Sequence, residues 1–264
     1  MNKSSRWALI LGASSGFGAA AARALAAEGF DILGVHLDRR ATLPNAEAVA
    51  ADVEAAGRRV RMFNINAADE AKRDDVLDEV VELVGDGTIT VLLHSLAFGS
   101  LVPFVPTPEQ TGRPMRKKQL DMTLDVMANS LVYWTQGIVA RGLMIDGGRI
   151  FAMTSTGSRQ VSPSYGAVSA AKSALEAHCR QLAYELLPRG ITVNSVCAGV
   201  TRTAALEKIP GHELLIAKSL AKSPIDRLTT PEDVAGAIAA LTDSRLHWMT
   251  GNVLGIHGGE EVIG

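Results

Sequence analysis

Tyr165 and Lys172 stand seven residues apart, downstream of a serine-rich stretch that runs Met153-Thr154-Ser155-Thr156-Gly157-Ser158. Pro163 and Ser164 mark a helix start, which puts both side chains on one helix. Seven positions turn about 700° and rise ~10.5 Å, so the phenol and the ammonium face the same way. A lysine held near a sugar hydroxyl would lower the phenol from its usual ~10 and make it a better proton donor. Ser155, at the end of the preceding apolar run, either assists at a substrate carbonyl oxygen or bonds its own loop.

A second motif lies near the start of the chain. Gly12-Ala13-Ser14-Ser15-Gly16-Phe17-Gly18 follows an apolar run and opens an alanine-rich segment. Gly12 suits a sharp turn, Gly16 a close approach to a pyrophosphate, and Gly18 tight helix–strand packing. The helix N-terminus adds free N–H groups and a positive dipole end. Between a strand and a helix, this spacing predicts dinucleotide binding. The next apolar run ends in His36-Leu37-Asp38-Arg39-Arg40. An acid at that tip suits the ribose of NAD, and basic residues suit the 2′-phosphate of NADP. His36 occupies the usual acid position, Asp38 lies two beyond it, and Arg39 and Arg40 could clamp a phosphate or simply face solvent. NADPH is therefore favoured over NADH. Asn66 is placed to bond the adenine amine or to serve an ordinary turn, with Ala67 beside it.

These groups need a scaffold. Apolar strand-like runs fall at 7–11, 31–37, 59–65, 89–94, 148–153, 191–197 and 252–256. Helical periodicity fills 17–28, 44–57, 69–84, 120–141, 164–187 and 231–242. The alternation predicts an α/β fold, a Rossmann-type doubly wound sheet of about seven parallel strands with helices on both faces. No linker or repeat divides residues 1–264, so one catalytic domain is expected. Two stretches break the rhythm. Residues 100–119 carry Pro103, Pro106, Pro108 and Pro114, and 198–225 form a long connection able to hold short helices around 204–222. Both follow strand C-terminal ends, where open α/β sheets bind ligands, so substrate loops are expected near 98–120 and 198–225. Thr230-Pro231-Glu232-Asp233 reads as a helix start with a structural role.

Composition narrows the class. The 264 residues are 47% hydrophobic and 20% charged, with a net charge of −2. That balance argues against a nucleic-acid binder. No apolar run approaches the ~18 residues of a membrane span. The start, Met1 to Leu11, reads as a first strand rather than a signal peptide. Cys179 and Cys197 have neither disulfide nor metal spacing and are expected as buried thiols, so a cytoplasmic protein without metal is expected.

With these motifs in place, the chain resembles the short-chain dehydrogenase/reductase superfamily over essentially its whole length. Most members pair their serine with Tyr-x-x-x-Lys. Here Val168 stands four before Lys172, and the tyrosine lies one turn earlier. This Tyr-x6-Lys spacing is similar to that of the enoyl-acyl-carrier-protein reductases. His94-Ser95-Leu96-Ala97-Phe98 resembles their segment after the fourth strand. The asparagine of the ordinary catalytic set falls at Met127, with Asn129 two residues off, and Ser155-Thr-Gly-Ser158 resembles the serine loop of that branch. Val193 to Thr203 resembles the strand-six segment that contacts nicotinamide. The resemblance implies cofactor contacts at Ser14, Ser15, Phe17, Ser95, Leu96, Ala97, Lys172, Val200, Thr201 and Thr203. His94 is assigned to structure or pocket shaping.

Spacing and chemistry agree. In ketone reduction the hydride acceptor is bonded to the oxygen needing the proton. In an enoyl thioester, hydride goes to C3 while charge collects on the C1 oxygen, with two atoms, C2 and C1, between acceptor and oxygen. Moving the donor by a helical turn of ~5 Å moves it in a plausible sense. The expectation is NAD(P)H-dependent reduction of an enoyl thioester in fatty-acid synthesis, on an acyl-carrier protein or CoA. A carbonyl reductase or alcohol dehydrogenase is the nearest alternative, and a non-catalytic nucleotide-binding protein a more distant one. Arg116-Lys117-Lys118 could meet an acidic carrier or be solvated. The resemblance also implies a homotetramer.

Overall fold

The computed structural model describes residues 5–85, 88–106 and 113–263. Seven strands, β1 (Arg6–Leu11), β2 (Asp31–His36), β3 (Val60–Asn64), β4 (Thr88–His94), β5 (Arg149–Thr154), β6 (Thr192–Ala198) and β7 (Val253–Ile256), form one sheet in the order β3-β2-β1-β4-β5-β6-β7. Every neighbouring pair is parallel. This is the Rossmann-type sheet expected from the alternating pattern. Its order reverses between β1 and β4, which places a crevice at their C-terminal ends.

Alternate strand side chains feed two cores. Leu9, Leu11, Leu33 and Leu92 face one layer with α3 (Glu70–Val84), α5 (Ser130–Ala140) and α6 (Gly166–Leu186). Ala8, Ile10, Ile32 and Val91 face the other, with α1 (Gly16–Ala27), α2 (Leu43–Ala55) and α8 (Pro231–Ala240). The alanines of α1 remove bulk and let it pack close to the sheet. Thr230 and Asp233 form a reciprocal capping box at α8, the structural role expected of that segment.

The expected helix 120–141 is interrupted. It consists of α4 (Lys117–Leu124), one π turn at Asp125–Asn129, and α5. The Ser130 hydroxyl donates to Val126 O at 2.8 Å and meets His94 Nε2 at 2.9 Å. A buried hydroxyl competing for a backbone carbonyl favours this widened turn. In the 198–225 connection, α7 (His212–Lys222) is the amphipathic helix expected there. Pro108, with the rest of 107–112, lies outside the described residues; from Arg113 the chain is irregular up to Lys117.

Candidate active site

The glycine loop lies between β1 and α1 at the crevice. Gly12 has φ +91° and Gly16 φ +53°, conformations that L side chains rarely adopt. A Cβ on Gly12 would stand 2.4 Å from Ser95 O, and one on Gly18 would stand 2.0 Å from Gly12 O. The three glycines thus permit the turn, the approach of the loop after β4, and the seating of α1. Ser15 precedes the helix in extended backbone and supplies no side-chain cap, and no acid occupies the first turn. The N–H groups that begin α1 are left for an anion. Phe17 packs partly buried against the core, and Thr203 Cγ2 would lie 3.6 Å from a Cβ on Gly16, so the loop after β6 closes the other side. Backbone geometry and the open helix end fit a dinucleotide pyrophosphate.

At the β2 tip, His36 is buried and its Nδ1 meets Asp38 Oδ2 at 2.8 Å. Burial pushes the Asp38 carboxyl up, but the hydroxyls of Thr42 and Ser14 and the His36 ring outweigh it and hold the group below its ordinary value. Asn64 fixes this turn from both sides: its Oδ1 accepts from Asp38 N and its Nδ2 donates to Asp38 O, each at 2.9 Å. Asn64 carried no sequence signal, because its partner is 26 residues away. Arg39 and Arg40 are exposed at the rim. Asn66 Oδ1 accepts from Ala68 N at 3.1 Å, so its carbonyl already serves the turn, while buried Ala67 gives its carbonyl to Trp134 Nε1.

The candidate catalytic segment follows β5. Tyr165 is the residue before α6, at φ −92° and ψ 0°, rather than within its first turn. Ser164, at φ +60°, turns the chain into it. The expectation that Lys172 lowers the phenol is not met. Burial raises Tyr165, and the opposing influence is the neighbouring Ser155 hydroxyl. Lys172 reaches elsewhere: its Nζ donates to Met153 O at 2.6 Å and toward Leu96 O at 3.5 Å. The ammonium is therefore strung between the ends of β4 and β5. Burial brings it down to about 8, against the opposing fields of Cys179 and Glu176. Buried Glu176 accepts from Thr154 Oγ1 at 2.7 Å, one turn beyond Lys172 on α6.

Ser155 Oγ is buried and makes no full hydrogen bond among the described residues. An unpartnered hydroxyl beside a phenol is a ready oxygen-binding pair. Gly157 decides their spacing, since a Cβ there would fall 2.4 Å from Tyr165 Cε1 and 3.2 Å from Ser155 Oγ. Gly157→Ala is expected to lower kcat on the order of tenfold, as a misplaced donor does, while nucleotide affinity stays within about twofold. Steady-state kinetics beside nucleotide titration checks this; unchanged kcat would contradict it. Phe104, from the proline-rich loop, packs where a Cβ on Gly166 would lie 2.7 Å from its Cε2, so it walls the site next to Tyr165.

Val168 and Met127 are both buried, and both pack on Gly99, where a Cβ would stand 2.8 Å from Val168 Cγ2 and 2.9 Å from Met127 Sδ. His94 is fully buried, its Nε2 faces Ser130, and burial, then the Lys172 charge, brings it to about 3. It stays neutral and belongs to the packing. Asn129 points to α6, where its Oδ1 meets His178 Nε2 at 3.2 Å. Thr201 is buried and donates to Gly199 O at 2.9 Å, and Val200 N donates to Glu260. Arg116, Lys117 and Lys118 are exposed, with Lys117 paired to Asp121. No group of three or more metal-ligating side chains occurs among the described residues. None of their helices is long and apolar enough to cross a membrane. Cys179 and Cys197 are both buried free thiols.

Residues 12–261 match the family described as Enoyl-(Acyl carrier protein) reductase. An NADH enoyl-acyl-carrier-protein reductase of Synechocystis is 31% identical over 196 residues, 74% of this chain and 73% of its own. L-2,3-butanediol dehydrogenase of Corynebacterium glutamicum is 28% identical over 272 residues, 97% of this chain and 98% of its own. A short-chain dehydrogenase from Burkholderia cenocepacia, solved with NADP, superposes with a TM-score of 0.81 at 27% identity, covering 98% of this chain and 100% of its own. The relatives thus divide between enoyl reductases and dehydrogenases that share one scaffold. The chain belongs to the short-chain dehydrogenase/reductase superfamily, in the family described as Enoyl-(Acyl carrier protein) reductase, and is an NAD(P)-dependent oxidoreductase.

Proposed function

We propose that the protein reduces the C2=C3 bond of an enoyl thioester carried by an acyl-carrier protein or CoA, within fatty-acid synthesis. The observation that carries this reading is the replacement of the ordinary donor positions by core. Val168 and Met127 are sealed against Gly99, whereas Tyr165 stands a turn earlier beside Ser155, whose buried Oγ has no full hydrogen bond among the described residues. A phenol kept protonated by burial suits a donor that meets negative charge on the C1 oxygen. Bound reduced nicotinamide would supply the hydride that C3 receives. Tyr165 holds a proton toward the thioester oxygen and stabilises the enolate, and Ser155 adds a second donor. Lys172 would hold the ribose hydroxyls with an ammonium whose Nζ is anchored on Met153 O and directed toward Leu96 O.

The Gly12–Gly18 loop would hold the pyrophosphate of the nucleotide, and Ser95 to Ala97, Val200, Thr201 and Thr203 would hold its nicotinamide end. NADPH is the preferred nucleotide. The Asp38 carboxylate is already engaged by His36, Ser14 and Thr42, while exposed Arg39 and Arg40 are available to a 2′-phosphate. The protein acts as one catalytic domain in a homotetramer in the cytoplasm.

Lys172 sets a pH limit. Its folded value of about 8 lies below the ordinary 10.5, so the ammonium loses its proton as pH rises through about 8. The raised phenol stays protonated there. Turnover is expected to fall above pH 8 with Tyr165 still neutral; a flat profile to pH 9.5 would contradict this assignment.

Assaying crotonyl and acetoacetyl thioesters with NADPH and NADH tests the function. Crotonyl turnover faster with NADPH is expected. Acetoacetyl turnover alone would overturn the proposal in favour of carbonyl reduction, the activity class of the dehydrogenase relatives. Nucleotide binding without turnover of either would indicate a non-catalytic role.

A further inference from the structure

The segment after β7 touches three parts of the site rim. Gly199 N donates to Ile256 O at 3.1 Å, which extends the β6–β7 pairing past the strand ends. A single turn at Glu260–Val262 then crosses the 198–225 connection. Glu260 Oε2 accepts from Val200 N at 3.1 Å, and its Oε1 accepts from the Ser219 hydroxyl on α7. Ser219 is buried at that contact. Next to it, Gln160 Nε2 donates to Glu261 Oε2 at 3.2 Å, and Lys222 Nζ at the end of α7 donates to Ile263 O at 2.9 Å. Gly199 is shaped for this approach, since a Cβ there would stand 2.8 Å from Glu260 Oε2 and 2.4 Å from Thr229 Oγ1.

We propose that Glu260 is a positioning residue whose carboxylate fastens α7 to the Val200 amide, setting the closed geometry of the substrate loop over the acyl chain. The inference rests on the reading that the 198–225 connection covers an acyl thioester. One carboxylate takes donors from two elements, the chain just after β6 and α7, that are nearly twenty residues apart in sequence. Charge-assisted bonds are the stronger class of such contacts. Glu260 itself reaches neither Tyr165 nor Lys172 through any of these bonds, so its influence falls on where the acyl chain is held and not on proton donation. Gln160, in the serine-rich loop, extends the same strap toward the Ser155 side.

The test is hydrogen exchange on the full-length protein with acyl-thioester kinetics beside it. Glu260→Ala is expected to speed amide exchange within 204–222 and raise the acyl-thioester KM, each roughly tenfold, with kcat within about twofold. Glu260→Gln is expected to restore both, because its carbonyl can accept from Val200 N and its amide can donate to Ser219 Oγ. If Glu260→Ala loosens the whole fold, Ser219→Ala decides, since it removes only the α7 end and should show the same local pattern. Unchanged α7 exchange, or an unchanged KM with an active substrate, would overturn the proposal. If neither crotonyl nor acetoacetyl thioester is turned over, the functional reading fails and α7 exchange alone judges the strap.

Discussion

Tyr165→Phe is expected to lower kcat for crotonyl thioester by about 10²–10³, the loss seen when one donor to a developing oxyanion is removed. The substitution deletes one hydroxyl and keeps the ring that packs over Gly157 and against the core. Nucleotide affinity and melting temperature should stay close to wild type, because among the described residues the phenol's only polar neighbour is the Ser155 hydroxyl. Ser155 remains and would account for residual turnover; Tyr165→Phe with Ser155→Ala should lose less than the product of the single losses, as expected of donors acting on one oxygen. Full activity in Tyr165→Phe would remove the phenol from the chemistry.

Gly12→Ala is expected to abolish nucleotide binding. At φ +91° an alanine pays the left-handed strain of about 1–2 kcal/mol. Its Cβ would also meet Ser95 O at 2.4 Å, and neither party to that contact is a flexible side-chain end. Relief requires the glycine loop or the loop after β4 to move, and both border the expected nucleotide site. A loss of affinity of at least 100-fold, about 2.7 kcal/mol, is expected by titration. Wild-type affinity would show that the crevice between β1 and β4 is not the nucleotide site. Gly57→Ala is a control, because it too has positive φ but its Cβ would meet nothing within 4 Å among the described residues.

Much of the scaffold was legible because its signals are local. Buried parallel strands read as apolar runs, so Arg6–Leu11 and Thr192–Ala198 fall within a residue of their sequence limits. The structural part of the glycine spacing was legible too: Gly12 turns at φ +91° and Gly18 seats α1 against Gly12 O. What escaped depends on residues distant in the chain. The π turn is accompanied by Ser130 bonding Val126 O and meeting His94, 36 residues away. The position of Tyr165 just outside α6 follows from the left-handed Ser164, which periodicity does not report. The direction of the phenol's shift was missed for a similar reason. Helical geometry aligned Lys172 with it, but the ammonium is captured by the carbonyls of Met153 and Leu96, and burial then dominates. Gly157, Asn64 and Glu260 have no motif, and only the folded chain brings each to its partner.

A competition between equimolar crotonyl and acetoacetyl thioesters, with products separated by mass, tests the central claim most directly. The buried Val168 and Met127, with Tyr165 set back by a turn, predict butyryl thioester as the dominant product and its loss in Tyr165→Phe. Accumulation of 3-hydroxybutyryl thioester with crotonyl thioester left intact would contradict the assignment of Tyr165 to C=C reduction.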